Sequence, residues 1–177
     1  MHSNESAGSG TQSTETVVVG GGIIGLATAL ALANRGRSVA VLDPGRRAGV
    51  SSWSGGGILS PLYPWRHAPG ANVLARYSQN LYGELARRMR DVTGVDPELR
   101  SQGMLYVDFP SRPPVDRTTA REWCREAGYT FEELEGEEVT QREPELSPVA
   151  EGGFRLPAVQ WIRNPRLMRG LRRLAEE

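Results

Sequence analysis

The chain has 177 residues, 38% of them hydrophobic and 24% charged, the composition of a globular protein with length for about one domain and part of a second. Its 21 basic residues, all arginine, balance 21 acidic ones, which argues against nucleic acid or another polyanion as a partner. The single cysteine, Cys124, excludes an intrachain disulfide and fits a reducing, cytoplasmic setting.

Residues 1–15 are mostly Ser, Gly, Thr, Asn and Glu. They lack the apolar run of a signal peptide or membrane anchor and are expected to form a disordered tail. Val17, Val18 and Val19 then read as a short strand buried on both faces. Ile24, Leu26, Ala27, Ala29, Leu30 and Ala33 make an apolar helix closed by Gly36, and Val39 to Leu42 a second strand. The pattern is a βαβ half-unit. Between its first strand and its helix, Gly20, Gly22 and Gly25 spell G-x-G-x-x-G. In such a turn the first glycine permits the sharp bend, the second lets a pyrophosphate approach the backbone, and the third allows close packing of the helix. The helix N-terminus favours the phosphate charge. Asp43 ends the second strand 18 positions after Gly25, near the spacing of a ribose-binding acid, and its charge would repel a 2′-phosphate. The plain alternatives are a glycine turn in an ordinary βαβ unit and a surface acid.

From Pro44 to Gly70 periodicity stops, and a long loop of Gly, Ser and Pro is expected. Loops of that length are usually functional or disordered. A nicotinamide domain would continue here with another strand and helix. Instead the chain enters SSWSGGGILSPLYPW, residues 51–65. There Gly55, Gly56 and Gly57 remove side chains and bare backbone amides that a flat ring or a pyrophosphate could meet.

Leu74, Tyr77, Leu81, Leu85, Met89 and Val92 predict a long amphipathic helix ending at Gly94. Residues 103–109 read as a strand and 117–127 as a helix capped by Asp116. Ala120, Trp123, Cys124 and Ala127 form its buried face, which makes Cys124 a packing residue rather than a nucleophile. Residues 132–138 read as an acidic, solvated stretch. In the last segment Asn164 is expected to cap a helix with Pro165 in its first turn. Its stripe at Leu167, Leu171 and Leu174 is expected to lack a partner surface. The chain closes on Glu176 and Glu177 with no terminating glycine, which predicts a fragment of a longer protein.

The stretches VVVGGGIIGLATALALANRGRSVAVLD and SSWSGGGILSPLYPW, with EPEL and RNPRLMRGL further on, resemble the glycine oxidase group of the D-amino-acid oxidase superfamily, which serves bacterial thiamine thiazole synthesis. The likeness runs from about Thr16 to the last residue and covers the front portion of the family's length. The fold it implies is α/β, a Rossmann-like FAD-binding domain over residues 16–100, followed at 101–177 by the start of a mixed α+β substrate domain. It implies non-covalent FAD, with Gly20, Gly22, Ile23, Ile24, Gly25 and Asp43 on the dinucleotide. Ser51, Ser52, Gly56, Gly57 and Ile58 match the segment beside the pyrophosphate and flavin. The implied reaction oxidises glycine or a related small amine to its imine, hence glyoxylate and ammonia, with O₂ as acceptor and hydrogen peroxide as product.

The resemblance places the substrate-carboxylate arginine and a second flavin segment beyond Glu177, so no arginine here inherits that role. Arg66, Arg163, Arg166 and His67 are expected to be surface or structural. No metal is expected, and a full-length homo-oligomer is compatible with this reading. The alternatives are a D-amino-acid or sarcosine oxidase or dehydrogenase, and a dinucleotide-binding fragment without turnover. An NAD-dependent dehydrogenase is disfavoured by the break after Asp43.

Overall fold

The computed structural model describes residues 13–45, 50–146 and 150–177. Most of the expected N-terminal tail therefore lies outside the described residues. At its end, Glu15 accepts a 3.2 Å hydrogen bond from the Ser38 amide.

Strand β1 (Thr16–Val19), helix α1 (Ile23–Ala33) and strand β2 (Val39–Leu42) form the expected half-unit. The strands pair in parallel, from Thr16 opposite Val39 to Val19 opposite Leu42. Gly36 is left-handed at φ +76° in the turn after α1, which favours glycine. The expected burial of β1 on both faces is not found. Val17 and Val19 stay 51% and 83% exposed, because α1 covers one face of this two-stranded sheet and no described element covers the other.

The expected loop contains local structure. A short helix, α2 (Val50–Ser54), and a 3-10 turn at Pro64–Arg66 punctuate it, and α3 (Pro69–Thr93) starts on a proline. Gly94 closes α3 in the left-handed conformation, as expected. The α3 stripe is only half used. Leu85 and Met89 pack into a core with Leu26 and Leu30 of α1, whereas Leu74, Tyr77, Leu81 and Val92 remain exposed.

Strand β3 (Met104–Asp108), helix α4 (Arg117–Ala127), strand β4 (Glu132–Glu135), helix α5 (Gly136–Arg142) and strand β5 (Gly152–Leu156) follow. The three strands form an antiparallel sheet in the order β3-β5-β4. Residues 132–138 form β4 and the start of α5, and within this regular structure Glu133, Glu135, Glu137 and Glu138 are exposed, as expected of an acidic, solvated stretch. Leu134 and Val139 are buried, and a single apolar residue between acids is too sparse a pattern to reveal a strand. The glutamates take arginine partners, Glu132 with Arg142 and Arg155, and Glu133 with Arg117 and Arg121. The Asp116 carboxylate caps α4 through the Thr119 amide, as expected. Cys124 is fully buried beneath α4, and burial pushes its thiol up to about 11.

Helix α6 (Asn164–Glu176) begins at Asn164 rather than being capped by it. Its stripe does find a partner surface. Leu167, Met168, Leu171 and Leu174 are buried against Leu26, Leu30 and Met89, each contributing roughly 1.5–3 kcal/mol. The last helix therefore returns to the same core as α1 and α3. No helix among the described residues is long and apolar enough to cross a membrane.

Candidate functional site

Three segments converge at the C-terminal ends of β1 and β2. The first is the turn Gly20–Gly25. Gly20 adopts φ +106° with nothing within 4 Å of where a β-carbon would lie. A β-carbon on Gly25 would fall 1.9 Å from the Gly20 carbonyl oxygen, so any side chain there would separate helix from strand. Gly22 precedes α1 with no side-chain cap, and Ile24, one turn-face residue on, is 78% exposed.

The second segment is Asp43. Its Oδ2 accepts from the Gly21 amide at 2.6 Å and its Oδ1 from the Gly45 amide at 3.0 Å. These bonds, Gly21 first, hold its carboxyl below the usual carboxylate range. The carboxylate thus fixes the glycine turn from the neighbouring strand. Each oxygen retains a further acceptor direction. A cleft of about 700 Å³ opens beside it, with Gly21, Val41, Ala29 and Arg172 in its wall.

Ser52, on α2, supplies the third. Its hydroxyl accepts from the Ile23 amide at 3.2 Å and would lie 3.4 Å from a β-carbon on Gly22. A side chain from a different segment therefore occupies the amide end of α1. Ser51 on the same helix is exposed.

Gly57 and Ile58 are held elsewhere. The Ile162 amide donates to the Gly57 carbonyl at 2.9 Å, the Leu59 amide donates to the Gln160 carbonyl at 2.9 Å, and Ile58 forms an antiparallel bridge with Trp161. This segment is seated on the approach to α6, with Ile58 still 46% exposed and Trp53 48%. The loop continues to Leu59, whose carbonyl accepts from the Gln79 side chain, itself bonded to the Tyr129 hydroxyl. Tyr63 follows in the left-handed region at φ 57°. That conformation costs an aromatic residue about 1–3 kcal/mol and is kept by packing, since Tyr63 and Trp65 join Tyr106 and Phe154 in one aromatic cluster. The Leu62–Trp65 tail is therefore an anchor for the loop.

Such a site is suited to a phosphate-bearing nucleotide. The amide end of α1 favours phosphate, Asp43 can take hydroxyls, and exposed apolar side chains flank the glycines. Comparison with known proteins decides the class. Residues 15–177 match the family described as DAO, FAD dependent oxidoreductase.

The chain belongs to this family.

Among its curated relatives, the glycine oxidase of Pseudomonas aeruginosa is 40% identical over 160 residues, covering 90% of this chain and 43% of the relative. That of Pseudomonas putida is 38% identical over 160 residues, covering 90% and 42%. The solved glycine oxidase of Geobacillus kaustophilus superposes with a TM-score of 0.83 at 25% identity, over 94% of this chain and 45% of that one. The chain thus spans less than half the length of the relatives it matches. Family membership makes FAD the cofactor and agrees with the mixed α/β fold. The observed residues fit it, since the turn leaves open space where a β-carbon on Gly20 would lie and the exposed flank at Ile24, Trp53 and Ile58 is apolar.

Arg163 and Arg166 pair with Glu98, Arg66 lies over the Tyr63 ring at 4.5 Å, and the His67 ring contacts the Leu62 carbonyl, structural roles as expected. Reasoning from the sequence missed Gly21 and Gly45, whose amides hold Asp43. The run Gly20-Gly21-Gly22 carried that information, since a β-carbon on Gly21 would fall 2.9 Å from Asp43 Oδ2. It also missed the seat that Gln160–Ile162 provides for the loop. Nothing local announces a pairing of segments about a hundred residues apart.

Proposed function

We propose that this chain is the FAD-holding portion of an amine oxidase acting on glycine or a closely related small amine. The observation that carries the reading is the convergence of the Gly20–Gly25 turn, Asp43 and Ser52 on one end of the parallel strands. The glycine oxidases among its relatives support the substrate class.

In this reading Gly20, Gly22, Ile23, Ile24 and Gly25 border the pyrophosphate, with Ser51 and Ser52 closing over it from α2. Asp43 takes the ribose hydroxyls of the adenosine half, and the cleft beside it receives the adenine. Gly56, Gly57 and Ile58 run along the flavin. FAD, when bound, supplies the two-electron acceptor for oxidising the substrate carbon–nitrogen bond, with O₂ as the terminal acceptor and peroxide the product. The chain's own residues bind and orient, which is the main protein contribution where a cofactor carries the chemistry. Ile58 and Trp53 exclude water on the exposed flank.

We assign residues 16–100, joined by α6, to the FAD-binding unit, and β3 to β5 with α4 and α5 to the start of the substrate domain. A supply of imine to thiamine thiazole synthesis, a cytoplasmic location and assembly as a homo-oligomer belong to the same reading. The 177 residues alone are expected to turn over no glycine, because the substrate clamp of this reading lies outside them.

The test uses the full-length protein. Its visible spectrum, and its formation of peroxide and glyoxylate from glycine, are compared with those from sarcosine and D-alanine. A yellow protein most active on glycine supports the proposal. A colourless protein that takes up NAD but not FAD rejects it, and a yellow one that prefers D-alanine moves the substrate.

A further inference from the structure

The three consecutive glycines of the loop are not equivalent. A β-carbon on Gly57, at φ +73°, would fall 1.9 Å from the Ile162 carbonyl oxygen and 3.3 Å from Asn164 Oδ1. One on Gly55 would fall 2.6 Å from Asn164 Nδ2, and one on Gly56 would meet nothing within 4 Å. Two of the three are small because residues 162–164 press on them. Only the middle one faces open space.

Asn164 stands in the first turn of α6. The backbone contacts between the two segments fall at Gly57, Ile58 and Leu59. The Asn164 amide carries the contact two residues further, to Gly55, where α2 has just ended at Ser54. It fills the space that the outer glycines leave empty and thereby sets how far the Gly55–Gly57 backbone stands from α6. A shorter side chain would remove the contact that Asn164 makes beside Gly55 and Gly57. Helix preference does not account for an asparagine here. Alanine is the better helix former, and serine suits a helix start equally well.

We propose that Asn164 is a positioning residue for the cofactor loop: its amide, wedged between Gly55 and Gly57, holds the Gly56 peptide toward the flavin. This rests on the reading that the loop borders the flavin, and the tests separate the two ideas.

The first measurement needs no cofactor. In full-length apoprotein, Asn164→Ala should speed hydrogen exchange of the Leu59 and Ile162 amides, which donate across this seam to Gln160 and Gly57, about tenfold, leaving β5 and the C-terminal half of α6 unchanged. Asn164→Asp, which keeps the shape, should restore protection. Should the alanine variant fail to fold, Asn164→Ser removes the same amide with a residue suited to helix starts. The second measurement is a rescue. Gly55→Ala should weaken FAD binding about tenfold by crowding Asn164, and adding Asn164→Ala should recover most of that loss. Gly57→Ala should not be rescued, because the Ile162 carbonyl remains in the way. Unchanged exchange of the Leu59 and Ile162 amides in Asn164→Ala and Asn164→Ser, or a double variant as weak as Gly55→Ala alone, overturns the proposal. If the wild-type protein takes up no FAD, the functional reading fails, and the exchange experiment still decides the role of Asn164.

Discussion

Asp43 at the end of β2 accepts a 2.6 Å hydrogen bond from the amide of Gly21 in the turn after β1. The acid proposed to bind ribose is therefore also the clamp on the turn proposed to bind pyrophosphate, and the two functions are lost together. Asp43→Ala removes the acceptor of the Gly21 and Gly45 bonds together with the proposed ribose contact, and should weaken FAD binding in the full-length protein by about tenfold to a hundredfold. Titrating apoprotein with FAD and following flavin fluorescence measures it. Asn at this position keeps one acceptor oxygen and should fall between.

The same contact carries a pH dependence. A carboxyl whose folded-state value is lowered contributes stability that is complete above its unfolded value and is lost as pH falls through the folded one. The backbone bonds of Gly21 and Gly45 lower Asp43 in this way. FAD release on acidification should therefore begin below the usual carboxylate range, and in Asp43→Asn this acid step should disappear. Flavin fluorescence across an acid titration compares the two.

Gly25→Ala and Gly56→Ala should behave oppositely in the cofactor-free protein. The first places a β-carbon 1.9 Å from the Gly20 carbonyl, and such overpacking costs about 1–3 kcal/mol. The second meets open space and should leave the melting temperature unchanged, while lowering FAD affinity if its backbone faces the flavin. Thermal unfolding with and without FAD distinguishes them.

Cys124 should be inert in the folded protein. Burial holds its thiol protonated up to about 11, and the thiolate is the reactive form. A thiol reagent at pH 8 should label it only after denaturation. Its contribution to pH-dependent stability has the opposite sign to that of Asp43, being complete below the ordinary thiol value and lost as pH rises toward about 11.

Arg117 should be a stability residue of the second sheet. Asp108 is buried and accepts from Arg117 Nε at 2.9 Å, Arg117 Nη2 at 2.6 Å and the Val115 amide at 2.9 Å. Arg117→Ala strands that carboxylate, at about 3 kcal/mol. Denaturant unfolding should show the loss, with FAD affinity little changed, since the pair lies on β3 and α4.

The sequence by itself determined the βαβ half-unit, its glycine turn and the caps at Asp116 and Gly94. These depend on short-range rules: hydrophobic period, a left-handed φ that favours glycine, and side chains that reach amides three residues away. The tertiary structure alone decided what those elements meet. Leu167, Leu171 and Leu174 form a stripe in any reading, but only the packed chain shows α1 and α3 filling it. Leu74, Tyr77 and Leu81 form an equally regular stripe and stay open. Periodicity specifies a face and not its partner. The loop shows the same division. Gly55, Gly56 and Gly57 look alike in the sequence, yet the Ile162 carbonyl and the Asn164 amide, about a hundred residues away, constrain two of them and leave the third free. Steric exclusion acts between atoms brought together by folding, and no local pattern records it.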